Sequence, residues 1–205
     1  MNIRAITRRE LAGAATLLSR SMRDNPVNVA AFGGSAGQRQ SAMAAFFIPV
    51  LEGLFGRGLI LGAFDGVTLE GICGMVRPGE CRPGALEKVR ILGSLLIHAS
   101  PRVAVRVGRW AGEWAKHDPG TRHWHLGPIA VDSHRQGKGI GSAMLRECCG
   151  QIDCENVAAY LETDKPENLR FCQKHDFVVA GQSVVLGQAS WYMLRQAARS
   201  SSSRV

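Results

Sequence analysis

Between Gln136 and Ser142 the chain reads Q-G-K-G-I-G-S, a composition suited to holding an anion. Gly137, Gly139 and Gly141 let the backbone curl and let a ligand approach without Cβ interference, and Lys138 adds positive charge. The turn opens a run, Ile140 to Leu145, with helical patterning, and a helix start presents unpaired N–H groups with a partial positive charge. An ordinary tight strand-to-helix turn has the same composition, so the flanking sequence must decide. Two familiar phosphate motifs do not fit. The P-loop pattern G-x-x-x-x-G-K-[ST] does not occur, and G-K-G-I-G lacks the G-x-G-x-x-G spacing of a dinucleotide turn.

Other reactive residue types are scattered. Six cysteines (Cys73, Cys81, Cys148, Cys149, Cys154 and Cys172) show no C-x-x-C pair, and no histidine lies near the Cys148-Cys149-Cys154 group. Buried free thiols in a reducing compartment are expected, and no metal site. The net charge of +8 calls for an acidic partner: nucleic acid, an anionic lipid surface or a phosphorylated cofactor.

The elements that position these residues follow from period and punctuation. Asn2 to Ile6 reads as a strand, and Thr7-Arg8-Arg9-Glu10 is a capping box opening a helix to about Arg23, ended by Asn25-Pro26. A second helix is expected over Gln38 to Phe55, kinked by Pro49. Leu59 to Phe64 and Val67 to Val76 flank Asp65-Gly66 as a hairpin. Helices follow at Ala85 to His98 and Arg102 to Lys116. In the latter Val103, Val107, Trp110, Ala111 and Trp114 share a face opposite Arg102, Arg106, Arg109 and Glu113, which reads as core-facing rather than membrane-binding. Then come a strand at His123 to Val131, a helix at Gly139 to Cys149, a strand at Val157 to Glu162, a helix at Pro166 to His175, and strands at Phe177 to Val185 and Ser190 to Leu194. This order predicts one mixed α/β domain over residues 1–195 and a disordered polar tail over 196–205. The N-terminus has no apolar signal region, and the longest apolar run, Ala42 to Phe55, falls short of the roughly 20 residues of a span. A cytoplasmic protein without membrane attachment is the expectation.

Gln136, Gly139 and Gly141, read as Q-x-x-G-x-G directly after a strand, resemble the pyrophosphate-binding motif of the GNAT superfamily of acyl-CoA-dependent N-acetyltransferases. Upstream, L-G-P-I-A-V resembles that family's central strand, where a bulge splays two neighbouring strands. Pro128 agrees, because proline inside a central strand is tolerated essentially only at a bulge. Downstream, Y-L-E-T-D-K-P-E-N-L-R-F-C-Q-K-H-D-F looks like the family's next strand and a helix beginning near an asparagine. The match runs from about Trp124 to Leu194, and the N-terminal half agrees only in its order of elements.

The resemblance implies a mixed, mostly antiparallel sheet with a splayed central strand and helices on both faces. It implies acetyl-CoA as cosubstrate and direct transfer to an amine of a small molecule or peptide. Backbone N–H groups of Ile129, Ala130 and Val131 would meet the thioester and pantetheine. Those of Gln136, Gly137, Lys138, Gly139, Ile140, Gly141 and Ser142 would meet the pyrophosphate, and Asn168 would lie near the pantetheine arm. His125 stands where several relatives carry a glutamate base, with Glu162 as second candidate and a packed imidazole as the alternative. Many relatives place a tyrosine acid four residues after the asparagine. Here that position is Cys172, which can serve as the acid or simply pack the helix. That departure leaves room for a non-catalytic acyl-CoA sensor. A nucleic-acid-binding protein is the other rival, but no recognised motif supports it, so no nucleic-acid partner is expected. A homodimer is compatible with the sequence.

Overall fold

A computed structural model describes residues 1–197. Of the expected tail, residues 198–205 lie outside the described residues. Strand β1 (Asn2–Ala5) leads through a 3-10 turn at Arg8–Glu10 into α1 (Leu11–Met22). The capping box forms as expected, with Glu10 accepting from the Thr7 N–H at 2.7 Å. Asn25-Pro26 also starts an element: Pro26 is the first residue of α2 (Pro26–Phe32), a position where its missing N–H costs nothing. Helix α3 (Ala36–Arg57) begins at a Ser35 capping box and continues through Pro49.

Strands β2 (Gly58–Asp65) and β3 (Thr68–Val76) form the hairpin, with Gly66 at φ +60° in the turn. Helices α4 (Ala85–His98) and α5 (Pro101–Lys116) precede β4 (His123–Val131). Helix α6 (Ile140–Glu155) runs six residues beyond the expected end, because Gly150 is absorbed into it and Asn156 supplies the left-handed stop. Then follow β5 (Ala158–Thr163), α7 (Pro166–Gln173), β6 (Val178–Val185) and β7 (Gln188–Arg195).

The seven strands order as β1-β2-β3-β4-β5-β7-β6, all neighbours antiparallel except the parallel pair β4 and β5. Alternation along the strands builds two cores. Ile60, Phe64, Ile72 and Val76 face α1 to α5, where Leu18, Met43 and Leu51 are buried. Leu61, Cys73, Met75, Trp124, Leu126 and Leu161 face α6 and α7, packing on Met144, Leu145, Cys148 and Cys172. Burying each large aliphatic side chain of these layers stabilises the fold by about 1.5–3 kcal/mol. On α5 Val103 and Val107 are buried, Trp110 packs partly buried against the same core, and Ala111 is exposed, so the core-facing stripe is narrower than expected. Among the described residues, no helix is long and apolar enough to cross a membrane.

Candidate active site

Strands β4 and β5 pair over three rungs only: His123 with Ala158, Trp124 with Ala159, and His125 with Tyr160. Beyond His125, β4 continues alongside β3, while β5 continues alongside β7. The two strands therefore diverge, and the N–H and C=O groups of β4 that would face β5 are released from the ladder. The divergence coincides with a bulge, since Gly127 and Pro128 together oppose the single residue Gly74. A Cβ on Gly74 would lie 2.5 Å from the Gly127 carbonyl oxygen, so only glycine fits that approach. Ile129, Ala130 and Val131 pair with Cys73, Ile72 and Gly71 of β3 and line the opening with their other edge.

The glycine turn sits at the end of this edge. Gly137 at φ +77° and Gly139 at φ +80° adopt left-handed backbone, and Gly139 caps α6. The first backbone bond of α6 runs from the Ala143 N–H to the Gly139 carbonyl. The N–H groups of Ile140, Gly141 and Ser142 thus have no partner in the helix and point out of its end. Gln136, Gly137, Lys138 and Gly139 are exposed around them. Side chains brace the turn: Gln136 Nε2 donates to the Val131 carbonyl at 3.1 Å, and Asp132 accepts the His134 N–H at 3.0 Å while pairing with Arg20 of α1. Arg135 reaches Asp65 at 2.6 Å and Glu70 at 3.4 Å, tying the turn to the β2–β3 hairpin. The Ser142 hydroxyl meets His175 Nε2 at 3.2 Å.

On the other wall, Asn168 Nδ2 donates to Thr163 Oγ1 at 2.9 Å, fixing the start of α7 to the end of β5. Asp164, just beyond, accepts the Val27 N–H at 2.7 Å and so anchors the start of α2 beside the opening. Cys172 is buried in the core under α7, and burial pushes its thiol up to about 12. That environment favours packing of the helix over proton donation.

At the last rung before the divergence, His125 Nε2 meets Glu162 Oε2 at 2.8 Å. An ionised carboxylate only accepts, so Nε2 carries the proton and Nδ1 is left to exchange one. Burial alone would push this imidazole down. The Glu162 charge and the neighbouring Cys81 thiol outweigh it and raise His125 to about 10. Its side chain is 23% exposed, against 6% for Glu162, so His125 is the outer member of the pair. His123, two residues earlier on the same strand face, is buried, and Tyr160 stacks edge-on against both rings.

The sequence reading missed Cys81 and Asp118, which come from the loops after β3 and α5. Asp118 Oδ1 lies 3.0 Å from His123 Nε2 and 3.9 Å from His125 Nδ1. Cys81 Sγ lies 3.5 Å from His123 Nε2, and these histidines bring the thiol down to about 7 despite its burial. Nothing in their sequence spacing signals this convergence. The alternation of His123 and His125 was the one available hint.

Residues 95–179 match the family model described as an acetyltransferase (GNAT) domain. The fold as a whole is similar to a structure from Corynebacterium glutamicum, described as histone acetyltransferase HPA2 and related acetyltransferase. The TM-score is 0.74 at 18% identity, with 98% of each chain covered. Residues 95–179 thus resemble a GNAT acetyltransferase domain, and the chain as a whole shares the fold of that structure.

Two further N-acetyltransferase structures share the architecture. The ribosomal-protein-S18-alanine N-acetyltransferase of Escherichia coli gives a TM-score of 0.58 at 12% identity, covering 100% of this chain and 98% of that one. The PaiA N-acetyltransferase of Thermoplasma acidophilum, in complex with coenzyme A, gives 0.59 at 13%, covering 95% and 98%. The diverging strands and the glycine turn thus stand within a fold also found in a protein solved with coenzyme A.

Proposed function

We propose that the protein transfers the acetyl group of acetyl-CoA directly to a primary amine of a small molecule or peptide. The observation that carries this reading is the alignment of two unpaired backbone edges. The released edge of Ile129, Ala130 and Val131 leads into the exposed N–H groups that open α6. The first suits a pantetheine amide and a thioester carbonyl, and the second suits a pyrophosphate. The turn from Gln136 to Ser142, with Lys138 beside it, forms the phosphate seat, and Asn168 stands on the opposite wall. Lys138 and the +8 net charge favour a polyanionic cosubstrate electrostatically.

His125 is the base. Its Nδ1 takes the proton released as the amine attacks the thioester, directly or through water, while Glu162 orients the ring and stabilises the imidazolium. A group raised to about 10 is close to the roughly 10.4 of an alkylammonium, and the attacking amine becomes more acidic as its N–C bond forms, so transfer to His125 runs downhill. The departing CoA thiolate takes its proton from solvent, which leaves Cys172 in a packing role. The reading includes action inside the cytoplasm on a soluble acceptor, with no nucleic-acid partner. If a homodimer forms, the exposed Leu92, Leu96 and Ile97 of α4 are its natural contact.

A free-thiol release assay over a panel of amines, antibiotics and peptides tests the reading. Acetyl-CoA turnover that depends on one amine class supports it. Tight acetyl-CoA binding with no turnover on any amine would instead favour the sensor.

A further inference from the structure

We propose that Cys81 Sγ, Asp118 Oδ1, His123 Nε2 and His125 Nδ1 form a binding site for one zinc ion. The four atoms come from two loops and from alternate residues of β4, and all lie within 4.8 Å of one another. Three of their separations are 3.0, 3.5 and 3.9 Å. Tetrahedral zinc with bonds of about 2.0–2.3 Å sets its ligand atoms about 3.3–3.7 Å apart.

The protonation pattern around the cluster points the same way. His123 Nδ1 lies 2.7 Å from the Thr121 carbonyl, which only accepts, so Nδ1 carries the proton and the Nε2 lone pair faces inward. By the same logic Glu162 fixes the His125 proton on Nε2 and turns the Nδ1 lone pair inward. Asp118 Oδ1 is buried without a hydrogen bond, 3.0 Å from a His123 Nε2 that has no proton to give in this tautomer. Once the His125 Nδ1 and Cys81 protons are released, as metal binding requires, two lone pairs, a carboxylate oxygen and a thiolate converge on one point. Each histidine also has an outer partner on its far nitrogen, a carboxylate for one and a carbonyl for the other, the arrangement that orients metal-ligating imidazoles. Thiolate with imidazole selects zinc over magnesium or calcium.

Metal on Nδ1 and proton uptake by Nδ1 exclude each other, so a loaded site is an inactive form under the base reading above. Binding itself does not depend on that reading, and its test uses no acyl-CoA. Chelator-treated full-length protein is titrated with Co²⁺ as a spectroscopic probe and then with Zn²⁺. Expected are one equivalent of Co²⁺ with the visible bands of a tetrahedral site and a thiolate charge-transfer band, both removed by one equivalent of Zn²⁺. Cys81→Ser should abolish the charge-transfer band, whereas Cys154→Ser, at an exposed thiol, should keep it. Glu162→Gln should weaken metal affinity about 10- to 100-fold. Circular dichroism confirms that each variant is folded, and the wild-type spectrum stands on its own. Failure of the wild-type protein to bind one equivalent, or a charge-transfer band that survives in folded Cys81→Ser, overturns the proposal.

Discussion

His125 Nε2 and Glu162 Oε2 lie 2.8 Å apart across the last rung that joins β4 and β5, at the point where the two strands part. The carboxylate favours the charged imidazolium, so a proton must leave His125 before it can accept one from an amine. With His125 raised to about 10, kcat/KM of the metal-free protein should keep rising with pH well above neutrality. Glu162→Gln removes the Glu162 charge that raises the group, so the acidic limb of its pH–rate profile should move to lower pH. His125→Ala should lower kcat, leave acetyl-CoA affinity nearly intact and abolish that limb. An acidic limb unchanged in His125→Ala would retire the histidine.

The phosphate seat depends on backbone that side chains rarely adopt. Gly139→Val forces a branched residue into φ +80° at the start of α6 and places bulk where the pyrophosphate approaches. Its acetyl-CoA Kd should rise at least about tenfold, or about 1.4 kcal/mol, by calorimetric titration. Gly141→Val should also weaken binding, because its side chain would crowd Phe171, 3.4 Å from the position of a Cβ. Normal affinity in both variants would refute the seat.

Cys172 is expected to matter little to the chemistry. Its thiol is buried and pushed up to about 12, and a CoA thiolate leaves readily near neutral pH with solvent supplying its proton. Cys172→Ala should lower kcat by less than about tenfold. A hundredfold loss in a well-folded variant would make the thiol essential, and intact-mass spectrometry would then be used to look for an acyl-cysteine.

The legible and illegible parts of this molecule separate by how local their causes are. The limits of α4 are readable because Pro83-Gly84 stands just before it and Ser100-Pro101 just after it. The start of α2 is hidden because Asn25-Pro26 can end one helix and begin another, and only the Val27 hydrogen bond to Asp164, from the far end of the chain, makes use of the second option. The glycine turn is legible for the same local reason: strand, turn and helix are contiguous. The His125–Glu162 pair spans two strands, yet both were marked by their positions on those strands. Cys81 and Asp118 belong to loops without pattern, and the fold alone brings them beside β4.

The N-terminal capping box offers a stability check away from the site. Arg4, together with the Thr7 N–H and hydroxyl, holds Glu10 down to about 2. A depressed carboxylate contributes stability above its unfolded value near 4.5, and that contribution is lost as pH falls toward 2. Because the group is solvent-screened, Glu10→Gln should cost no more than about 1 kcal/mol near neutral pH. Urea unfolding of the two proteins should converge as pH falls below about 4. A constant difference across that range would remove the charge from the explanation.

Calorimetric titration of acetyl-CoA into the full-length protein, paired with thermal unfolding, tests the central claim most directly. A chain with the diverging strands and glycine turn described above should bind one equivalent saturably. Its Tm should rise with acetyl-CoA concentration, since a ligand at a hundredfold excess over Kd stabilises the native state by about 2.7 kcal/mol. No binding heat and no Tm shift at millimolar acetyl-CoA would contradict the account.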